Sequence, residues 1–182
     1  MKTVFMFSGQ GAQYAGMGKD LYDNYAVAKE VFDRADEVLG YSIKDICFSD
    51  EEKLGLTEFT QPAILTMSIA AMKVMQENGI NADMTAGLSL GEYSALVASG
   101  AMKFEEAVAL VQKRGKFMAE AVPNGKGGMF AIIGLDTELV EKSCEEAVKE
   151  IGGVAVPANY NAPGQIVIGG DAATVEIGRA HV

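Results

Sequence analysis

Ser89 stands between Gly87 and Gly91 in the run Met84-Thr-Ala-Gly-Leu-Ser-Leu-Gly-Glu92, after a short apolar approach and before a helical pattern. That is the layout of a nucleophile elbow, where a sharp strand-to-helix turn lifts a serine oxygen clear of a sheet. The glycines answer a physical demand. So tight a turn brings strand and helix too close for a side chain at either position. A helix starting at Leu90 would also aim free N–H groups and its positive dipole end at an anion forming beside Ser89. A serine between two glycines is more often a plain turn, so taken alone the pentapeptide leaves both readings open.

A second segment bears on the first. The strand-like run Thr3-Val-Phe-Met-Phe-Ser8 breaks into Gly9-Gln10-Gly11-Ala12-Gln13, a loop able to present a backbone N–H to a shared site. Three further motifs follow along the chain: Thr60-Gln61-Pro62-Ala63, Lys113-Arg114-Gly115 and Asn159-Tyr-Asn-Ala-Pro-Gly-Gln165. Together with the elbow, in order and spacing, they resemble the malonyl-coenzyme A:acyl carrier protein transacylase family, relatives of the acyltransferase domains of fatty acid and polyketide synthases. The resemblance runs from residue 2 to about residue 176. One departure is visible: many relatives carry His after the first glycine of the elbow, where this chain has Leu88.

The elements that must position these residues read coarsely from periodicity. Apolar positions at helical spacing run from Leu21 to Leu39 and stop at Gly40. Thr60 reads as the N-cap of a largely buried helix, with Pro62 in its first turn and a stop at Asn78-Gly79. A strand at Met84–Ala86 leads into the elbow, and helices are predicted at 90–99 and 104–121, the second ending near Pro123-Asn124-Gly125. Asn124-Gly-Lys-Gly-Gly128 reads as a hinge. Beyond it come a strand from Met129 to Ile133, a helix from Thr137 to Glu150 with Asp136 as a cap, and strands at Val154–Ala158 and Gln165–Ile168. This β-α-β-β order opens a ferredoxin-like split unit.

The fold class is therefore α/β. The resemblance implies an α/β-hydrolase-like large body with a parallel sheet over residues 1–123, and a ferredoxin-like small subdomain, partial here, over 124–176. Ile177-Gly-Arg-Ala-His-Val182 departs from the family pattern and coincides with one reading frame of a common sequencing adapter. The sequence reading is thus an N-terminal fragment with a non-native tail at 177–182.

Composition sets outer limits. A chain of 182 residues, 49% hydrophobic and 22% charged, supports a folded core. Its formal charge of −10 argues against nucleic acid and anionic membrane as partners, since both need a basic footprint. Cys47 and Cys144 share no metal-like spacing and read as ordinary thiols of a reducing cytoplasm. The opening apolar run is too short for a signal peptide, and no window reaches the length of a membrane span. A clean start at Met1 favours a free-standing protein; its thiols read as cytoplasmic, and it is expected to be a monomer.

The resemblance then assigns the chemistry. Ser89 takes malonyl from malonyl-coenzyme A, with the tetrahedral oxyanion between the backbone N–H groups of Gln10 and Leu90. The phosphopantetheine thiol of acyl carrier protein attacks the malonyl-serine in turn. No metal or cofactor is called for. Arg114 fits the free carboxylate of malonate, because a guanidinium holds a carboxylate through two parallel hydrogen bonds. The bland alternative is an ion pair with Glu106 or Glu120. Gln61, Asn159 and Asn161 are candidates for lining the site or for plain caps and turns. Glu92 reads as a helix-dipole partner.

Docking an acidic carrier protein would need a local basic patch. Lys103, Lys113, Arg114, Lys116 and Lys126 are the candidates, or else a solvated helix face. The family's general base falls beyond this chain, whose only histidine is His181, so the chain as written is expected to be nearly inactive and poorly folded. Two other readings compete. A serine hydrolase or thioesterase of the α/β-hydrolase type shares the elbow but gives no reason for the Gly-Gln-Gly loop or for Arg114. A non-catalytic carrier-protein-binding module would leave Ser89 inert.

Overall fold

The structure is a computed structural model and describes residues 2–122 and 125–181. The chain divides into two compact units, Met1–Glu120 and Ala121–Val182. The expected helix stop at Pro123-Asn124 and the first residue of the expected hinge lie outside the described residues.

In the first unit β1 (Val4–Phe7) and β2 (Met84–Gly87) pair in parallel, with Phe7 opposite Gly87. Both strands therefore end side by side, one releasing the Gly9-Gln10-Gly11 loop and the other the elbow. Around them stand α1 (Lys19–Asn24), α2 (Ala26–Leu39), α3 (Ile43–Ser49), α4 (Glu51–Leu54), α5 (Thr57–Glu77), α6 (Leu90–Ala98) and α7 (Phe104–Ala121). The core gathers Phe32, Ile43, Leu54, Leu65, Ile69, Leu90, Val108 and Val111, all fully buried. It is built around α5, whose long apolar run packs on α2, α3 and α6.

Three local expectations change. The apolar periodicity from Leu21 to Leu39 spans two helices, because Tyr25 turns extended (φ −129°, ψ 119°) and ends α1. Helix α5 starts at Thr57, not after Thr60, so Pro62 sits inside it. Proline removes one N–H there, close enough to the helix start that little of the ladder is lost. Thr60 is fully buried and caps nothing ahead of it; its hydroxyl donates to the Leu54 and Leu56 carbonyls at 2.6 and 2.9 Å. The short helices α3 and α4 add to the expected set, each opened by a side chain accepting a backbone N–H, Ser42 and Asp50 respectively.

The second unit runs β3 (Gly127–Ile133), α8 (Thr137–Ile151), β4 (Ala155–Ala162), β5 (Gln165–Asp171) and α9 (Ala172–Ala180). Its sheet is antiparallel in the order β3-β5-β4. Its core joins Ile132, Val140, Cys144, Ile166, Ile168 and Val175 beneath α8 and α9. Strand β4 extends past the expected Ala158 through Asn159, Tyr160 and Asn161, with irregular register at Pro157/Asn159 and Tyr160/Ala162. As an outer strand it tolerates Pro157, which a central ladder would not. Asp136 precedes α8 as expected, but its side chain makes no capping bond; its backbone carbonyl receives the Leu139 and Val140 N–H groups.

The overall class is thus α/β, with one parallel and one antiparallel sheet among the described residues. Among the described residues no helix is long and apolar enough to cross a membrane, and no cluster of His, Cys, Asp and Glu is arranged to hold a metal ion.

Candidate active site

The elbow is built from two close approaches. A Cβ on Gly87 would collide with the backbone of Gly91 and Glu92, and one on Gly91 with the Phe7 carbonyl. Strand β2 can pass into α6 only because neither carries a side chain. Between them Ser89 holds φ 52° and ψ −101°, the one non-glycine residue with positive φ among the described residues. Strain of about 1–3 kcal/mol at such a position persists only where the surroundings enforce it. Here they do: Leu90 behind it is fully buried, and the Leu88 N–H donates to the Phe7 carbonyl at 3.2 Å.

The same contacts seat the first loop against the elbow. A Cβ on Gly9 would stand 2.8 Å from the Leu88 carbonyl. Gln10 follows directly. Its side-chain N–H donates to Thr57 Oγ1 at 3.2 Å, which leaves its backbone N–H for any part it plays at Ser89. In the first turn of α6, Gly91 and Glu92 send their N–H groups to Leu88 and Ser89 carbonyls at 2.9 and 3.2 Å. The Leu90 N–H, directly after the serine, has no acceptor among the described residues. The Ser89 side chain does not cap the helix and stands exposed.

Arg114 comes from the middle of α7. Its Nη1 donates to Gln61 Oε1 at 2.7 Å and its Nη2 to Ser89 Oγ at 3.0 Å, while Cζ lies 5.7 Å from the Tyr93 ring centre. Gln61 is fully buried, and its amide nitrogen also meets Met118 Sδ at 3.3 Å. No ion pair to Glu106 or Glu120 forms among the described residues; Lys116 approaches Glu120 instead, at 4.0 Å. Arg34 and Arg179, by contrast, are paired with Glu105 and Glu176. Arg114 is therefore a half-buried cation held by neutral partners, beside an exposed and strained serine. Such a group retains most of its attraction for an incoming carboxylate.

Of the residues singled out in the sequence, Arg114 contacts both Ser89 and Gln61, Leu90 adjoins the serine, and Gln10 lies in the loop pressed on the elbow. Asn159 and Asn161 are exposed on β4 of the second unit. His181, also in that unit, faces Glu150 at 3.1 Å and Glu146 at 4.0 Å. Thr57, Tyr93 and Met118 were not anticipated. Two of them had a signal: Thr57 precedes Gln61, and Met118 follows Arg114, by one helical turn.

An acyl transferase domain model matches residues 4–178. The chain belongs to the acyl transferase domain family. Within it, the chain is 52% identical over 177 residues to the malonyl CoA-acyl carrier protein transacylase of Bacillus subtilis (strain 168), covering 97% of this chain and 56% of that protein. The Escherichia coli (strain K12) protein of the same name is 49% identical over 95% of this chain and 56% of its own length. Among solved structures, MCAT from Streptococcus pneumoniae aligns with TM-score 0.88 and 52% identity, over 99% of this chain and 58% of that one. The complex of a type II polyketide synthase acyl-carrier protein with its malonyl-transacylase aligns with TM-score 0.91 and 43% identity, over 100% of this chain and 59% of that one. The chain thus spans a little over half the length of these relatives.

Proposed function

We propose that the protein carrying this chain is an acyltransferase of fatty acid biosynthesis that moves malonyl from coenzyme A to acyl carrier protein through a malonyl-Ser89 ester. The observation that carries the reading is the junction of Arg114 with Ser89 and Gln61, a carboxylate-binding cation placed against a strained serine. Ser89 Oγ attacks the thioester carbon, losing its proton to a base; the C–S bond breaks and coenzyme A leaves as the thiol. The carrier's phosphopantetheine thiol then attacks the ester, forming a new C–S bond and returning the hydroxyl to Ser89. The oxyanion in each half is held by the Gln10 and Leu90 N–H groups, donors aimed where negative charge develops. Arg114 holds the malonyl carboxylate, with Gln61 fixing the guanidinium. Asn159 and Asn161 are proposed to line the substrate path. The reaction as proposed draws on no bound metal or organic cofactor.

In support, relatives of both kinds, curated and solved, are named for this transfer, and one neighbour is a complex with an acyl-carrier protein. We further propose an α/β-hydrolase-like body over 1–123, a ferredoxin-like subdomain over 124–176 with the β3-β5-β4 sheet, and a non-native tail at 177–182, in a monomer acting in the cytoplasm. The general base is assigned to no residue of this chain: the resemblance puts it in the part of the relatives that this chain does not span.

The test supplies malonyl-coenzyme A to the protein extended to the length of its relatives, with and without a carrier-protein thiol. Transfer to the thiol outpacing release of free malonate supports the reading. Hydrolysis at the same rate in both conditions would instead identify a thioesterase.

A further inference from the structure

Thr57 touches both halves of the site through different atoms. Its hydroxyl accepts the Gln10 side-chain N–H at 3.2 Å. Its carbonyl stands close against α7: a Cβ on Gly115, the residue after Arg114, would lie 2.6 Å from that oxygen. Gly115 is buried, so the helices meet there without slack. One turn further along α5, Gln61 holds the Arg114 guanidinium. The first turn of α5 thus fixes the loop that carries Gln10 and the helix that carries Arg114.

We propose that Thr57 is a positioning residue, referencing the donor for the acyl oxygen and the donor for the acyl carboxylate to a single turn of helix. The proposal rests on the reading of Gln10 N–H and Arg114 given above. Two substituents of one acyl group must be met at once, so the distance between their donors selects acyl length as well as charge. Thr57 sets that distance by two separable contacts. Losing the hydroxyl frees the Gln10 loop and harms every acyl donor alike. Crowding the carbonyl through Gly115 moves Arg114 and harms only donors that carry a carboxylate.

The experiment follows Ser89 modification by intact mass in the protein extended to the length of its relatives, with malonyl-coenzyme A as the charged reagent and an alkyl fluorophosphonate as the neutral one. Thr57→Val should slow both reactions about fivefold at saturation, the worth of one neutral hydrogen bond, with half-saturating concentrations unchanged. Thr57→Ser should restore both, and thermal midpoints of the three proteins should agree. Gly115→Ala should slow malonyl addition at least tenfold more than fluorophosphonate addition, a ratio that general destabilisation would not produce. A Thr57→Val protein that matches wild type, a loss that serine does not rescue, or equal effects of Gly115→Ala on both reagents would overturn the proposal. Fluorophosphonate labelling of the wild type without any malonyl addition counts against the transferase reading alone, and the Thr57 comparison is then decided on the neutral reagent. Labelling by neither reagent overturns both.

Discussion

Arg114 donates to Ser89: guanidinium Nη2 lies 3.0 Å from the serine Oγ, while Nη1 is held by the buried amide oxygen of Gln61. The contact places a permanent cation within one hydrogen bond of the only non-glycine residue with a left-handed backbone among those described. Neither partner of the arginine is charged, so its attraction is left for a ligand. A carboxylate two bonds from a reacting carbonyl has the right charge and reach.

Arg114→Ala should therefore cost malonyl transfer far more than acetyl transfer. A charge-assisted hydrogen bond is worth about 1.5–3 kcal/mol, so the malonyl preference should fall about tenfold to a hundredfold. Competition between the two coenzyme A thioesters measures it. Equal losses for both would make Arg114 structural.

The elbow's glycines should differ sharply from glycines that merely end helices. Gly40 has φ 74° and open space around its α-carbon, so Gly40→Ala meets only backbone strain of about 1–2 kcal/mol. Gly91→Ala drives a methyl into the Phe7 carbonyl, which cannot move without parting β1 from α6. Its cost should reach about 3 kcal/mol or more, beyond the usual range for overpacking. Denaturant unfolding of the two variants compares them directly, and equal midpoints would contradict the close approach.

These glycines also show why the site was legible before the fold was. Gly87, Ser89 and Gly91 state a backbone requirement in residue types alone, and the helix start at Leu90 follows from it. The break at Tyr25 carried no such mark, because apolar spacing continues through it and only one residue's dihedrals change. Helix α5 began a turn early because Thr60, a good cap by type, is buried with its hydroxyl satisfied by carbonyls behind it. The contact of Gln10 with Thr57 joins residues 47 apart through polar side chains, which leave no periodicity to read. Pairing of β4 past Ala158 was hidden by Pro157 and by asparagines that read as turn formers.

Cys47 gives a pH prediction. It is fully buried, and burial, helped by the Asp36 carboxylate, pushes its thiol from the ordinary 9.0 up to about 12. The unfolded chain loses this proton first, so the unfolded state binds fewer protons above pH 9. Stability from this group is complete below about pH 9 and is lost as pH rises toward 12. Urea midpoints should fall across that window, and less so in Cys47→Ala. At pH 8 Cys47 should resist a disulfide reagent until the protein is unfolded. Rapid reaction in the native state would contradict its burial.

The central claim is that Ser89 is the nucleophile that carries malonate. Brief exposure of the protein, extended to the length of its relatives, to malonyl-coenzyme A, followed by proteolysis and mass spectrometry, tests it most directly. One malonyl group is expected, on the peptide containing Ser89, absent from Ser89→Ala and discharged by a carrier-protein thiol. A malonyl adduct that persists in Ser89→Ala, or that maps to any other residue, would contradict it.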